Sequence, residues 1–428
     1  MFYIRLYICF FILSNGLHCQ NFQFNLNDRA EVLFLNNAYA NTVSTLRLSE
    51  TFEPSSYYSK NYLILLSKLR NNETGADRQL PYYLEKNPIS KLGSTLPFDM
   101  GNFYFKNNKY SYALKWYRNL NDDQFMNELK DKFNFNKGYS LFHVKRYSAA
   151  KPYLEKVKNT RQYESDAHYY LGHIAYQMDD YINAESEFSQ LDNKFSSKND
   201  LDYFQVDMNF KLGRFQQAID LGNKLLKKSN KLYESDLSKI VGESHFNLKN
   251  YKESLPFLVA YKGIKDKWTN EDFYQLGYAY YSEKKYDSAI DQFNKIINQS
   301  NSLSQNAFYH LGDCYLKEEK KIEALSAFKK ASEMNFNKKI KEDALLQYAK
   351  LGFEIGNPFE SYTNVLIRFL NNYPKNKYSE KIKSLLVLSY TNGGDYDSAI
   401  KILKSANPFK DEVTLQKVLY LKALELYR

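Results

Sequence analysis

The 428-residue sequence contains only 3 Cys, and Cys9 and Cys19 both lie within the first twenty residues. Cys314 is therefore alone in the remainder of the chain, which excludes an internal disulfide there. After the first twenty residues, no stretch approaches the eighteen apolar residues of a membrane-spanning helix. We therefore expect a chain without a transmembrane span, whose stability comes from packing and not from disulfide bonds.

The sequence also lacks the usual signatures of a catalytic, metal or cofactor site. Its 6 His are scattered, and His168 and His173 are five residues apart, so they miss the one-turn spacing of a zinc motif. The glycines follow no phosphate-binding pattern. We therefore predict a protein that is not an enzyme and that has no catalytic residues, cofactor or metal.

The residues that are abundant indicate a large, folded, helical chain. Hydrophobic residues make up 43% of the sequence and charged residues 25%, with 39 Tyr and 30 Phe, which is unlike the composition of disordered proteins. The formal net charge is +10, but the excess is spread thinly, and Lys pairs such as Lys284 and Lys285 fall at helix junctions, where cations suit the helix dipole. We therefore do not expect a nucleic-acid partner.

The first twenty residues differ from the rest of the chain. Arg5 is their only charge, and the apolar run at 6–13 is too short to cross a bilayer as a helix. This pattern predicts a signal peptide at residues 1–20, with a buried first helix as the alternative. Cys19 also raises a lipoprotein interpretation, but His18 stands where that motif wants a small residue. We expect an exported protein, periplasmic or associated with the outer membrane.

A pair of small residues twelve positions apart recurs every 34 to 38 residues along the chain. The first member falls at Ala30, Ile64, Gly101, Gly138, Gly172, Val206, Gly242, Gly277, Gly312, Ala349 and Val387, and larger residues replace the glycine at Ile64 and Val387. The second falls at Thr42, Ala76, Ala113, Ala150, Ala184, Ala218, Ser254, Ala289, Ala324, Ser361 and Ala399. Such a period predicts a solenoid in which each unit buries its apolar face against its neighbours.

The apolar spacing within a repeat predicts two helices. In the unit that begins at Asn270, apolar residues keep a helical period on both sides of a break at 283–285, at Phe273, Leu276, Tyr280, Ala289, Phe293 and Ile297. Small residues at the crossing let the two helices approach closely. Pro152 and Pro256 fall inside second helices, which predicts that those helices start late or bend.

At these residues the chain resembles the tetratricopeptide repeat (TPR) family, whose pattern is an aromatic residue, Leu-Gly, Tyr, a small residue, an aromatic residue, Ala and a terminal Pro. The proline is kept plainly only at Pro88 and Pro374. The match is clearest at Phe273, Leu276, Gly277, Tyr280, Ala289 and Phe293, from Phe308 to Ala331, and at Leu171, Gly172, Ala184 and Phe188. A tyrosine three residues before the second small residue supports the register at Tyr110, Tyr147, Tyr181, Tyr251, Tyr286 and Tyr396.

The resemblance implies an all-α fold, a right-handed α-solenoid of about eleven TPR-like helical hairpins with a C-terminal capping helix. We divide the chain into a signal peptide at 1–20, degenerate hairpins at 21–93, tandem TPR repeats at 94–412 and a last helix at 413–428. That last helix is either a cap over the final repeat or half of a further repeat.

In TPR proteins the first helices line a concave groove, and the resemblance implies which residues face it here. Those of repeats five to nine are aromatic or acidic with one histidine: Tyr169, His173, Tyr176, Tyr203, Asp207, Glu243, Tyr274, Tyr278, Tyr281, Tyr309 and Asp313. Carboxylates among the rings favour a partner that carries Lys or Arg. Packing between neighbouring first helices is the alternative role of each ring.

The predicted leader, the many repeats and the lack of a catalytic domain together resemble the exported TPR scaffold proteins of Gram-negative bacteria. We therefore expect a non-enzymatic protein-protein interaction scaffold of the cell envelope that binds a protein or peptide segment along the groove. The alternative is a solenoid that binds glycan or peptidoglycan by stacking its tyrosines on sugar rings.

Overall fold

The computed structural model describes residues 26–49, 60–87, 96–191, 198–228, 233–404 and 412–427. Every regular element in these residues is a helix, which confirms the all-α prediction. The predicted signal peptide at 1–20 lies outside the described residues. The chain forms two compact units, Met1–Ser196 and Ser197–Arg428.

The first unit consists of helices that alternate as first and second members of consecutive pairs. They are α1 Leu26–Leu35, α2 Tyr39–Leu48, α3 Lys60–Arg70, α4 Ala76–Lys86, α5 Leu96–Lys106, α6 Tyr110–Tyr117, α7 Asn127–His143, α8 Tyr147–Glu155, α9 Glu164–Gln177 and α10 Tyr181–Ser189. A short 3-10 helix, Asp122–Gln124, lies between α6 and α7.

The second unit continues the alternation and ends on an unpaired helix. Its elements are α11 Lys198–Lys211, α12 Phe215–Lys227, α13 Glu234–Asn247, α14 Tyr251–Ala260, α15 Asn270–Ser282, α16 Tyr286–Phe293, α17 Ser302–Lys317, α18 Lys321–Glu333, α19 Lys338–Ile355, α20 Tyr362–Asn372, α21 Ser379–Asn392, α22 Tyr396–Lys404 and α23 Glu412–Tyr427. The last helix, α23, packs on α22 through the buried Val418.

Within each unit the first helices stand side by side. From α3 to α9 and again from α11 to α21, each odd-numbered helix contacts the next odd-numbered helix as well as its own hairpin partner. A row of first helices therefore forms one face of each unit, which we call the first-helix face. This is the arrangement that a TPR solenoid requires.

The two helices of a pair cross where a glycine faces a large side chain sixteen residues later. The pairs are Gly101 with Tyr117, Gly138 with Leu154, Gly172 with Phe188, Gly242 with Leu258, Gly277 with Phe293 and Gly312 with Phe328. A methyl group added at Gly312 would lie 2.7 Å from Cδ1 of Phe328, whose ring is 1% exposed. Because nothing larger than hydrogen fits there, these glycines are required by packing.

One of the repeats without the glycine reverses this arrangement. Val206 occupies the glycine position, and the residue sixteen positions later is Gly222 instead of a large side chain. A methyl group at Gly222 would lie 2.4 Å from Cγ2 of Val241 on the next first helix, α13, and 3.5 Å from Cγ1 of Val206. The large and small partners have therefore exchanged helices, which keeps the volume at the crossing roughly constant.

The second helices begin where the sequence places a tyrosine. Each of the six predicted tyrosines, and also Tyr39 and Tyr362, is the first residue of its helix. In three turns the tyrosine hydroxyl donates to the side chain two residues earlier: Tyr39 to Asn37 at 2.5 Å, Tyr110 to Asn108 at 2.8 Å and Tyr181 to Asp179 at 2.5 Å. These Asn and Asp residues have positive φ, which they tolerate better than most residues.

The two prolines noted in second helices do not delay the helix starts. Helices α8 and α14 begin at Tyr147 and Tyr251 and contain Pro152 and Pro256 as their sixth residues. Pro81 takes the same place in α4. Each proline lacks an N–H, so each of these helices does without one backbone hydrogen bond.

One predicted crossing residue is displaced by a longer loop. Ser361 is exposed and precedes α20, so it does not lie at a helix crossing. After Ala349, helix α19 continues to Ile355, and Gly356 with φ of 82° opens the loop. Val365, the buried fourth residue of α20, takes the position that we expected for Ser361. Four extra residues between the two helices account for the shift.

A glycine at a helix crossing should tolerate substitution by alanine less well than a glycine outside a crossing. We expect Gly312→Ala to lower the free energy of unfolding by about 2 kcal/mol, because the added methyl overpacks the immobile Phe328 ring. Gly393→Ala serves as the control, since its added methyl would lie 3.4 Å from the nearest atom, the carbonyl oxygen of Ser389. Urea unfolding followed by circular dichroism measures both, and equal losses would contradict the packing role of Gly312.

Candidate first-helix binding face

All eleven predicted groove residues lie on first helices. Tyr169, His173 and Tyr176 are on α9 in the first unit; Tyr203 and Asp207 are on α11, Glu243 on α13, Tyr274, Tyr278 and Tyr281 on α15, and Tyr309 and Asp313 on α17 in the second unit. Asp207 is buried and the other ten are half-buried. They therefore combine packing with partial exposure, and they divide into separate groups.

In the first unit, α9 carries a small aromatic group. The rings of Tyr169 and His173 are edge to face with centroids 4.5 Å apart, and Phe188 lies 5.5 Å from His173. Tyr176 lies 5.8 Å from Tyr181, the first residue of α10. In the second unit, Tyr203 of α11 stacks on Tyr233 at 4.5 Å. Both groups are thus tied to their neighbouring helices through ring contacts.

A further aromatic group surrounds His310 on α17. Its ring centroid lies 5.1 Å from both Tyr278 and Tyr281, 5.6 Å from Tyr309 and 6.2 Å from Tyr274. We call these five residues the His310 cluster. The four tyrosines were predicted, whereas His310 was missed because it lies one residue beside the groove position and carries no motif of its own.

Hydrogen bonds fix two of these tyrosines to the next first helix. The Tyr281 hydroxyl on α15 donates to Oδ2 of Asp313 on α17 at 2.5 Å. The Tyr309 hydroxyl donates in the same way to Asp343 on α19. Burial and the neighbouring carboxylates raise the pKa of both tyrosines. These bonds hold the rings in place, and they give each carboxylate one hydrogen-bond donor within the protein.

A charged group lies on α11, α13 and α15 of the same face. The Lys239 ammonium is 2.6 Å from Oδ1 of Asp272 and 3.8 Å from Oε1 of Glu243. Burial raises the pKa of Glu243, and the attraction of Lys239 opposes that rise while Asp272 and Asp207 add to it. Asp207 is itself 3.1 Å from Lys211. The group holds three carboxylates and two ammonium groups, so it carries an excess of negative charge.

Neither a metal site nor a membrane span is evident in the part of the chain that the structure describes. No three His, Cys, Asp or Glu side chains in it are grouped to hold a metal ion. None of its helices combines the length and the apolar character needed to cross a bilayer. Cys314 of α17 is a buried free thiol in the core that α17 shares with α16.

A protein-family comparison agrees with the repeat geometry. The family described as anaphase-promoting complex, cyclosome, subunit 3, whose repeats are TPR-like, matches residues 257–331. That stretch contains two complete crossings, Gly277 with Phe293 and Gly312 with Phe328, in which both the small residue and the ring keep the TPR spacing. The match and the repeat geometry together support TPR-like repeats in this chain. TPR proteins are generally non-enzymatic scaffolds for protein-protein interaction.

Solved TPR structures resemble this chain at low identity. The C-terminal part of a TPR repeat-containing protein from Cytophaga hutchinsonii is 17% identical, with 58% of this chain and 98% of that chain covered and a TM-score of 0.41. A TPR protein from Parabacteroides merdae is 13% identical, covering 76% and 97%, with a TM-score of 0.28. Yeast Tom70 is 15% identical, covering 94% and 95%, with a TM-score of 0.29. No curated protein matches the sequence.

The burial of His310 predicts a specific loss of stability in mild acid. Burial lowers the pKa of His310 to about 4 from an ordinary value of 6.5, and its Nδ1 has no hydrogen-bond partner among the described residues. As pH falls below 6.5 the unfolded chain takes up a proton that the folded protein excludes, so stability declines until pH 4.

The matching variant is His310→Phe, which keeps a ring in the His310 cluster. Between pH 7 and pH 5 we expect the wild-type protein to lose about 2 kcal/mol more than the variant. Urea unfolding at the two pH values measures the difference. An identical pH dependence for the two proteins would show that His310 is not held neutral by the fold.

Proposed function

We propose that this protein is an interaction scaffold of the bacterial cell envelope that binds a partner segment on the first-helix face of its second unit. The observation that carries the proposal is the His310 cluster. Its tyrosines are half-buried, so each ring keeps part of its surface for a partner while its position is held by neighbouring rings. Rings that are already ordered lose little entropy on binding.

The charge near the cluster favours a partner segment with Lys or Arg. Asp207, Glu243 and Asp272 outnumber the two lysines beside them, and Glu243 is held at an energetic cost, as its raised pKa indicates. A cation from the partner would lower that cost because opposite charges attract strongly at a partly buried site. Rings and carboxylates together therefore suit a basic segment with aromatic or aliphatic side chains.

Site-specific photocrosslinking tests which face meets the partner. A photoreactive phenylalanine analogue is placed at position 278 in the His310 cluster, or at position 322 as the control. Ile322 is 50% exposed and lies on the second helix α18, so the control presents the probe on the other face of the same unit. We expect adducts of discrete mass from position 278 and none from position 322. Adducts from position 322 alone would contradict the proposal.

The proposed envelope location rests on the leader pattern and is tested separately. In intact Gram-negative cells that produce the full chain, we expect the protein to resist added protease and to become sensitive once the outer membrane is permeabilised. We also expect a variant with Leu6→Arg and Ile8→Arg to remain in the cytoplasmic fraction, because charges in the apolar run of a leader prevent export. Equal fractionation of both proteins would contradict the signal peptide.

A further inference from the structure

A cavity of about 430 Å³ lies on the first-helix face of the first unit. Helices α3, α5 and α7 supply most of its walls. Its charged lining residues are Arg70, Lys106 and Lys132 against a single carboxylate, Asp99. The cavity therefore carries an excess of positive charge, which is the opposite of the charged group on α11, α13 and α15 in the second unit.

The only carboxylate that lines the cavity, Asp99, is already paired with Arg70. Asp99, whose side chain is 8% exposed, accepts two hydrogen bonds from Arg70, from Nε to Oδ1 and from Nη2 to Oδ2, both at 3.0 Å. The Arg70 guanidinium also lies 4.9 Å from the centroid of the Phe34 ring. Such a two-point pair on a ring fixes the arginine and leaves little of the carboxylate for other cations.

Lys132 has no carboxylate of its own. No salt bridge or hydrogen bond reaches it among the described residues, although Lys130 on the same helix is 3.5 Å from Asp122. Burial lowers the pKa of Lys132, and Lys106 and Arg70 lower it further, while Asp99 opposes them. Lys106 in turn donates to the backbone carbonyl oxygen of Arg70 at 3.2 Å. Arg70, Lys106 and Lys132 thus all line the cavity, and its one carboxylate, Asp99, is already paired with Arg70.

The remaining wall of the cavity is apolar. Phe98 and Phe125 lie with their ring centroids 4.7 Å apart and both line the cavity. A group that satisfies this site must bring a negative charge to the cations and hydrophobic surface to the rings. The side chains of an acidic peptide with interspersed apolar residues have this combination.

We propose that this cavity binds a side-chain carboxylate of an acidic partner segment, with Lys132 as its main ionic contact and Phe98 and Phe125 as the apolar contacts. The proposal rests on the proposed function in one respect, that the first-helix face is where segments bind. It adds a second site of opposite charge in the other unit.

Binding of a synthetic peptide to the full chain tests the proposal. The probe is an acetylated and amidated peptide of alternating Glu and Leu residues, so that it has no terminal carboxylate. We expect it to bind, and we expect Lys132→Gln to weaken binding about tenfold, as loss of one charge-assisted contact does. Lys130→Gln is the matched control, because it removes the same charge from the same helix and should leave binding unchanged.

The stability of the variants separates a binding role from a structural one. Because Lys132 is crowded by other cations, Lys132→Gln should raise the melting temperature of the protein without peptide, while it weakens peptide binding. A lowered melting temperature together with unchanged binding would assign Lys132 a structural role and overturn the proposal. Equal binding of the wild-type protein to a peptide with Gln in place of Glu would overturn it as well.

Two further measurements identify the source of the anion. Full competition by inorganic phosphate at concentrations near those of the peptide would assign the cavity to phosphate and overturn the carboxylate proposal. Binding only of a peptide with a free C-terminus would overturn the side-chain assignment. Position 278 lies in the other unit, so the crosslinking result there is independent of the result for Lys132→Gln. Failure of one proposal can therefore be distinguished from failure of the other.

Discussion

The structure depends on one contact that recurs along the chain, the close crossing of two helices at a glycine against a large buried side chain. A missing Cβ lets the ring of Phe293 or Phe328 lie directly on the backbone of the first helix. Because this contact fixes each hairpin, the next hairpin has a formed surface to pack against. A chain without disulfides among its described residues can be stable in this way, since each repeat contributes its own crossing.

The first-helix face follows from the same contact. Each first helix crosses its hairpin partner on one side, so its other side can contact the next first helix. Side-chain hydrogen bonds, such as Tyr281 to Asp313 and Lys239 to Asp272, join consecutive first helices there. These hydrogen bonds hold half-exposed aromatic rings in fixed positions, and ordered, partly exposed rings are well suited to bind a partner. Stability and recognition therefore draw on the same residues.

The sequence was sufficient for the parts of the fold that repeat. The period, the small residues and the tyrosines that begin the second helices all follow from spacing, because a repeated contact leaves a repeated pattern. The reversed crossing of Val206 with Gly222 was missed. Each residue taken alone departs from the repeat pattern, and only the two together show that the large and small positions are exchanged. His310 at the centre of its tyrosines was not predicted, nor was the pairing of Arg70 with Asp99, because these contacts join side chains of different repeats and leave no periodic pattern.

The central claim is that partner segments bind on first helices. Hydroxyl-radical footprinting of the protein with and without its crosslinked partner, purified as the complex, measures this directly at side chains. The account predicts slower oxidation at Tyr278 and Tyr281 in the complex, and unchanged oxidation at Ile322 and Val259, which are 50% and 54% exposed on second helices. Slower oxidation at Ile322 and Val259 with unchanged tyrosines would contradict it.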